Sequence, residues 1–264
     1  MDDDLLTTAE AARIAGVGTT SVKRWADQNL LQCVKTAGGH RRIRRQELER
    51  FLHAHGGAPP KAPRESWLEI LVGGDAFDVQ GAMLSARGRL GAWYRVTEEL
   101  AEALVEVGDA WRRGDITILE EHVVSEKLAR ALARCSETLP LAPDAPTALL
   151  TTAQNDDHTL GLSLVELCLR ELGWRCVWAG RRTPIDEIMS EVARGGALML
   201  LVSASAFSAN RSALEDEAAK LGDATRDAGV ALILGGSGAW PERPKYGTRV
   251  RSLRDLHEAV KTLR

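Results

Sequence analysis

The C-terminal part of the chain alternates short apolar runs with helical stretches, and this alternation restricts the fold more than any other pattern. Apolar runs of strand length lie at residues 148–152, 175–178, 198–202, 231–234 and about 248–250, with helical stretches at 160–172, 184–194, 211–228 and 253–263. Strands and helices that alternate in this way form a parallel sheet with helices on both faces. We therefore predict a doubly wound, Rossmann-like domain with a parallel five-stranded sheet over residues 139–264.

The loop after the first of these strands carries an acid, an imidazole and a glycine as Asp156-x-His158-x-x-Gly161. Open α/β sheets bind ligands beyond the carboxyl ends of their strands. A neutral His158 can bind a metal, and Asp156 can accept the proton on the other ring nitrogen, which fixes the tautomer. Taken alone, a single histidine after a strand is equally compatible with a structural role.

Two further strand ends carry small polar or flexible residues. Ser203-Ala204-Ser205 follows the third predicted strand, and Gly235-Gly236 follows the fourth. Each motif alone has another interpretation, because a serine can cap a helix and a glycine pair can form a bare turn or a phosphate loop. All three motifs are predicted to line the same sheet edge, which favours one shared site.

Residues 66–138 form a second predicted domain, a four-helix bundle. Its helical stretches lie at residues 67–72, 76–87, 93–113 and 116–135. Apolar residues at spacings of three and four place Trp111 on the apolar stripe of the third helix. Gly114 and Asp115 indicate a C-terminal glycine followed by an N-cap, so that Glu121 and His122 come close to Trp111. A structural or a ligand-binding role for His122 stays open, because buried histidines are often hydrogen-bonded core residues.

The N-terminal residues 1–55 are predicted to form a third domain. A helix over residues 6–15, with Thr7 or Thr8 as its N-cap, precedes a second helix over residues 19–27, which is a helix-turn-helix pattern. A two-stranded hairpin with a Gly38-Gly39 turn and a helix from Arg45 follow. The alternative is a small helical domain with a solvated basic face.

Charge is distributed unevenly along the chain. Residues 1–65 contain 11 Lys+Arg and 8 Asp+Glu, a balance of +3, whereas the remainder contains 23 and 29, a balance of -6. A basic first segment fits a polyanionic partner. Residues 56–65, rich in glycine and proline, are predicted to be an interdomain linker.

Several classes of protein are disfavoured by composition. The four cysteines show no Cys-x-x-Cys spacing, so we expect reduced, mostly buried thiols. No apolar run reaches about 18 residues, and the start of the chain does not have the pattern of a signal peptide. We expect a cytoplasmic protein with no membrane partner.

The N-terminal motifs resemble the winged helix-turn-helix domain of MerR and excisionase-type DNA-binding proteins. The resemblance rests on Leu6-Thr7-Thr8-Ala9-Glu10-Ala11-Ala12, Val22-Lys23-Arg24-Trp25 and Thr36-Ala37-Gly38-Gly39-His40-Arg41-Arg42-Ile43. It implies that double-stranded DNA is a partner. It also implies that the second helix enters the major groove and that the wing grips the backbone or minor groove. The implied DNA-binding residues are Thr20, Ser21, Lys23, Arg24, His40, Arg41 and Arg42.

The three strand-end motifs, with the preceding helices, resemble the cobalamin-binding domain of corrinoid-dependent enzymes and sensors. The resemblance implies that His158 is the lower cobalt ligand, that Asp156 orients it and that Gly161 allows close approach to the corrin. Ser203 and Ser205 would line the slot for the displaced nucleotide tail, and Gly235-Gly236 would leave room for it. The family often has a larger residue at the position of Ser205.

A tryptophan followed nine residues later by Glu-His resembles the cap of light-sensing repressors of the CarH type. In that family adenosylcobalamin holds a DNA-binding tetramer until light cleaves the cobalt–carbon bond. The resemblance implies that Trp111 packs on the adenosyl group, Glu121 bonds its ribose and His122 supports that contact. Some relatives have a histidine directly after the tryptophan that captures cobalt after photolysis, whereas this chain has Arg112.

The sequence therefore predicts a transcriptional regulator, not an enzyme, that self-associates to a dimer or tetramer and responds to adenosylcobalamin and light. One alternative is a regulator that senses cobalamin or another tetrapyrrole without light. Another is a corrinoid carrier of a methyltransferase or mutase, against which the basic N-terminal domain argues.

Overall fold

The computed structural model describes residues 5–15, 19–27, 30–36, 40–54 and 66–263. The chain divides into two compact units, Met1–Glu65 and Ser66–Arg264, here called the N-terminal and C-terminal units. The four-helix bundle and the parallel sheet both lie in the C-terminal unit. The predicted Gly38-Gly39 turn and the linker over residues 56–65 lie outside the described residues.

The N-terminal unit packs helices against a small antiparallel sheet. Its elements are β1 (Leu5–Thr7), α1 (Thr8–Ala15), α2 (Thr19–Asp27), β2 (Val34–Lys35), β3 (Arg41–Arg44) and α3 (Arg45–Ala54). The sheet order is β1-β3-β2. Val22, Trp25, Ile43 and Leu48 are fully or almost fully buried, and the Trp25 ring lies 4.9 Å from that of Phe51. These side chains form a core that belongs to this unit.

The start of the chain differs from the prediction. Residues 5–7 form a strand paired with β3, so the sheet has three strands where a two-stranded hairpin was predicted. The Thr7 hydroxyl accepts the Glu10 N–H at 3.2 Å, while Glu10 accepts the Thr7 N–H at 2.8 Å. This reciprocal cap starts the helix at Thr8 and leaves Leu6 in the strand, where it is buried.

The bundle consists of α4 (Trp67–Gly73), α5 (Ala76–Leu90), α6 (Trp93–Arg113) and α7 (Ile118–Glu137). Gly114 ends α6 in the left-handed conformation, φ 79°, as its position predicted. The prediction that Asp115 caps α7 is wrong. Thr117 is the cap, because its hydroxyl accepts the Glu120 N–H at 3.2 Å, and Asp115 instead accepts a bond from Arg113.

The sheet domain alternates strand and helix to the end of the described chain. Its elements are β4 (Thr147–Thr152), α8 (Leu160–Glu171), β5 (Arg175–Gly180), α9 (Ile185–Arg194), β6 (Met199–Ser203), α10 (Arg211–Ala228), β7 (Ala231–Gly235), β8 (Thr248–Arg249) and α11 (Leu253–Lys261). All pairings are parallel, and the order is β5-β4-β6-β7-β8. The predicted fold class, a helical bundle with a parallel five-stranded Rossmann-like sheet, is confirmed.

Strand order determines where a ligand can enter. The chain leaves β4 toward β5 on one side and returns to β6 on the other, so the connections diverge between β4 and β6. Such a switch point leaves a crevice beyond the carboxyl ends of the two strands. The loops after β4 and β6 carry His158 and Ser205 to this crevice.

The four cysteines of the chain are free. Cys135 and Cys168 are buried, and Cys33 and Cys176 are half-buried. Within the described residues, no helix combines the length and apolarity that crossing a membrane requires.

The core of α7 offers a direct test of the bundle. Leu128 is fully buried, whereas Leu119 on the same helix is 68% exposed. Leu128→Ala is expected to lower the free energy of unfolding by about 2–5 kcal/mol, because it removes buried apolar surface and leaves a cavity. Leu119→Ala is the matched control and should change it by less than about 0.5 kcal/mol. Urea unfolding followed by circular dichroism measures both, and equal losses would contradict the described packing.

Candidate functional site

His158 lies in the loop between β4 and α8, and one of its ring nitrogens is already bonded. Its Nδ1 is 2.9 Å from Oδ1 of Asp156, which also accepts the His158 backbone N–H at 2.9 Å. The side chain of His158 is 53% exposed. No protein atom in the described part of the chain bonds Nε2. The ring therefore presents Nε2 as the nitrogen that can bind a metal.

The side-chain carboxylate of Asp156 is buried and takes part in four hydrogen bonds. Besides the two from His158, its Oδ2 accepts the Ser205 N–H and the Ser208 hydroxyl, both at 2.6 Å. Burial alone would raise the pKa of Asp156, but the bonds from Ser208, His158 and Ser205 outweigh it and lower the pKa to about 2. Asp156 thus remains an anion that joins the loop after β4 to the loop after β6.

Two contacts of the imidazole were not predicted. The Phe207 ring stacks on the His158 ring, with centroids 4.7 Å apart and planes 9° from parallel, although Phe207 is 76% exposed. The Ser205 hydroxyl lies 3.2 Å from His158 Nδ1. Sequence reasoning also missed Ser208, since the conformation of the loop after β6 is set by contacts distant in sequence. The Ala-Phe-Ser run at residues 206–208, directly after the serine motif, was the available signal.

The glycines of the predicted site serve different purposes. A Cβ on Gly161 would lie 3.4 Å from the Ser203 hydroxyl, so the start of α8 passes close to the end of β6. Gly236 has φ 84°, and a Cβ there would lie 2.2 Å from the Ala204 carbonyl oxygen. Only glycine fits at position 236, because any side chain there would clash with the backbone of Ala204 directly after β6. A Cβ on Gly235 would meet only Val250, at an ordinary 3.6 Å.

The predicted cap residues lie on α6 and α7. Trp111 is 40% exposed, which corrects its placement within the apolar stripe. Glu121 Oε2 is 3.5 Å from His122 Nε2, and Glu121 Oε1 accepts the Ser125 hydroxyl at 3.0 Å. Among the described residues, no hydrogen bond or ring contact joins Trp111 to either. An indole, a carboxylate and an imidazole are thus all accessible to solvent near one end of the helix pair.

Lys23 and the predicted DNA-contacting residues of the wing line one groove. This groove, about 470 Å³ in volume, is lined by Thr7, Thr8, Ala9, Lys23, His40, Arg41 and Arg42. Arg41 also forms an ion pair with Asp27 of α2, so this arginine holds the wing against the helix as well as lining the groove. Thr20, Ser21 and Arg24 belong to α2, but their side chains lie outside the described residues.

The donor set at the sheet edge fits a cobalt that brings most of its own ligands. Within the described residues, no group of three or more His, Cys, Asp or Glu side chains could hold a bare metal ion. A corrin supplies four nitrogens, so one exposed imidazole nitrogen is sufficient as a protein ligand. The exposed Nε2 of His158 meets that requirement.

Two segments of the chain match models of known families. Residues 5–56 match the family model described as a helix-turn-helix domain, and residues 64–136 match the one described as a B12 binding domain. The chain thus contains one segment similar to a helix-turn-helix domain and one similar to a B12 binding domain.

The chain is also similar to a curated protein. The chain is 30% identical over 149 residues to the HTH-type transcriptional repressor CarH of Myxococcus xanthus, an alignment that covers 53% of this chain and 48% of the relative. The chain thus spans about half the length of the curated relative it matches. Together these matches confirm the resemblance to CarH-type proteins that the sequence motifs predicted.

A solved structure supports the fold alone. The monomethylamine corrinoid protein of Methanosarcina barkeri superposes with a TM-score of 0.58 and 18% identity, covering 75% of this chain and 96% of that one.

The ionised state of Asp156 predicts a stability that depends on pH. Because its folded pKa of about 2 lies below the ordinary value of 3.8, its contribution is present above about pH 4 and is lost as pH falls toward 2. Asp156→Asn is expected to lower the free energy of unfolding by about 2 kcal/mol at pH 7, and the difference from wild type should shrink below pH 4. Urea unfolding across this pH range measures it.

Asp157→Asn is the matched control, because Asp157 is an exposed neighbour paired with Arg182. It should cost less than about 1 kcal/mol. A loss in Asp156→Asn that stays constant from pH 7 to pH 2.5 would count against the assigned ionisation.

Proposed function

We propose that the chain is a DNA-binding transcriptional regulator whose self-association and DNA affinity are controlled by adenosylcobalamin and by light. The observation that carries this proposal is the His158 imidazole, held through Nδ1 by buried Asp156 with Nε2 exposed at the switch point of the sheet. A ligand site in the same chain as a segment that matches a helix-turn-helix domain supports a role in regulation.

On the sheet, His158 would bind the cobalt through Nε2, while Asp156 keeps Nδ1 occupied. Ser205 and Ser208 hold Asp156 from the neighbouring strand end, so the imidazole keeps one orientation. Adenosylcobalamin supplies a cobalt–carbon bond that light can break. Ser203 and Gly235 are paired at the ends of β6 and β7, beside the region proposed to receive the nucleotide tail. Gly161 and Gly236 permit close approach to Ser203 and Ala204.

On the bundle, the exposed end of the α6–α7 pair suits the upper face of the cofactor. Ile118, Leu119 and Val123 are 57%, 68% and 46% exposed, an unusual amount of apolar surface for the first two turns of α7. In this proposal Trp111 packs on the adenosyl group, while Glu121 accepts a bond from its ribose with His122 in support. Loss of that group uncovers this surface and weakens the packing that favours assembly.

Association of several chains would link the cofactor to DNA binding. The groove of one N-terminal unit presents few cations, so a single copy binds DNA weakly at physiological salt. Bringing copies together raises the affinity through effective concentration. The proposed response is therefore a change in oligomeric state, to a dimer or tetramer, without a catalytic step.

One observation favours a second candidate, a regulator that senses cobalamin or another tetrapyrrole without light. Arg112, the residue after Trp111, forms an ion pair with Asp109 and cannot ligate cobalt. A carrier component of a methyltransferase or mutase is the remaining alternative, and the helix-turn-helix domain argues against it.

The cofactor site is tested by His158→Ala. Removal of the lower ligand is expected to weaken hydroxocobalamin binding at least tenfold, because the protein loses its bond to cobalt. Equilibrium dialysis with absorption detection measures the dissociation constant. The matched control is His40→Ala, which removes an exposed histidine from the N-terminal unit and should leave cobalamin affinity unchanged. Equal affinity in wild type and His158→Ala would overturn the ligand assignment.

The light response is tested by size-exclusion chromatography in the dark and after green illumination. With adenosylcobalamin bound, the protein is expected to elute as a larger species in the dark and to return to the apo position after illumination. Fluorescence anisotropy on promoter-length DNA should show tighter binding only for the dark species. An elution volume that changes with cobalamin but not with light would support the second candidate. Cobalamin binding that changes neither the elution volume nor the DNA affinity would refute the proposal that the chain is a regulator.

A further inference from the structure

Glu217 is a buried carboxylate that the proposed function does not use. It lies on α10, is 8% exposed, and its two carboxylate oxygens accept the Gln154 backbone N–H at 3.0 and 3.2 Å. Gln154 precedes Asp156 by two residues in the loop that carries His158. A side chain from another helix is thus bonded directly to the ligand loop.

This loop is also held by bonds within itself and by bonds from β6, from the loop after β6 and from Arg182 in the loop after β5. The Ala153 N–H donates to the Ser203 carbonyl at 2.8 Å, and the Asp156 N–H donates to the Ala153 carbonyl at 3.0 Å. Between these residues Asn155 adopts φ 69°, a left-handed conformation that an asparagine tolerates at some cost. The bond from Gln154 to Glu217 lies next to this turn.

Asp156 and Glu217 make reciprocal connections. Asp156, in the loop after β4, accepts bonds from Ser205 and Ser208, which precede α10. Glu217, on α10, accepts a bond from Gln154 in the loop after β4. The segment after β4 and the segment after β6, which includes α10, therefore each contribute one carboxylate that accepts a hydrogen bond from the other.

A carboxylate at this position is costly. Burial raises the pKa of Glu217 and the charge of Asp156 raises it further, while the bond from Gln154 opposes both. An apolar side chain of similar size would avoid this cost, and such replacements of buried charges are often neutral or stabilising. Packing alone does not account for a glutamate here.

We infer that Glu217 is a positioning residue that holds the loop over residues 153–158 so that His158 Nε2 stays directed toward the cofactor. The inference rests on the proposed role of His158 as a ligand. It predicts that loss of the carboxylate loosens the loop without destabilising the sheet domain. It also predicts that a neutral side chain of the same shape, which can still accept the Gln154 N–H, holds the loop as Glu217 does.

The first test uses the full-length protein without cofactor. In Glu217→Leu, amide hydrogen exchange in residues 153–158 is expected to be about tenfold faster or more, because the Gln154 N–H loses its acceptor. The melting temperature should not fall. Glu217→Gln should restore slow exchange, and Asp216→Leu, the same change at an exposed neighbour on α10, should leave it slow. If Glu217→Leu does not fold, Glu217→Ala takes its place in the same assays.

The second test measures the hydroxocobalamin dissociation constant of the same variants. Glu217→Leu should bind at least fivefold more weakly than wild type, and Glu217→Gln should bind within twofold of it. Unchanged exchange, faster exchange throughout the domain with a lower melting temperature, or faster loop exchange with unchanged affinity would each overturn the inference. If wild type binds no hydroxocobalamin, the proposed function fails, whereas the exchange data still report whether Glu217 holds the loop.

Discussion

The burial of α8 on two sides is the constraint on which the C-terminal unit depends. Leu164 and Leu167 lie in the core shared with the bundle, whereas Leu162 and Leu169 lie in the core against the sheet. Each fully buried leucine contributes about 1.5–3 kcal/mol, so α8 cannot shift without disturbing both cores. Because α8 begins two residues after His158, the same packing sets the position of the ligand loop relative to sheet and bundle.

Hydrogen bonds orient the His158 ring, which apolar packing alone does not do. Apolar burial positions α8 but does not orient an imidazole, since dispersion contacts have no direction. The four bonds to Asp156 supply that direction, and they are strong because the acceptor is charged and buried. The carboxylate also ties β4 to β6, the neighbouring strands between which the sheet changes direction. The orientation of the His158 ring and the link between β4 and β6 beside the crevice therefore both depend on the buried side chain of Asp156.

Patterns local in sequence could be predicted, and contacts distant in sequence could not. Apolar periodicity predicted the parallel sheet, and a glycine after a helix predicted the end of α6, because each depends on a few adjacent residues. The cap of α7 was assigned to Asp115 instead of Thr117, since both residues favour N-caps and only the packing of the helix decides between them. Phe207 and Glu217 were missed because they reach the ligand loop from about 50 to 60 residues away.

Under the proposed function, the division of the chain into two units is compatible with control through association of several chains. The N-terminal unit has its own core around Trp25, and the C-terminal unit has three others, so each can keep its fold independently. Under the proposed function, a change at the bundle need not distort the DNA-binding groove. It is enough that the change alters how many grooves act together, because affinity for a polyanion rises steeply with the number of linked cationic contacts. The free energy that couples cofactor to DNA then resides in the contacts between chains.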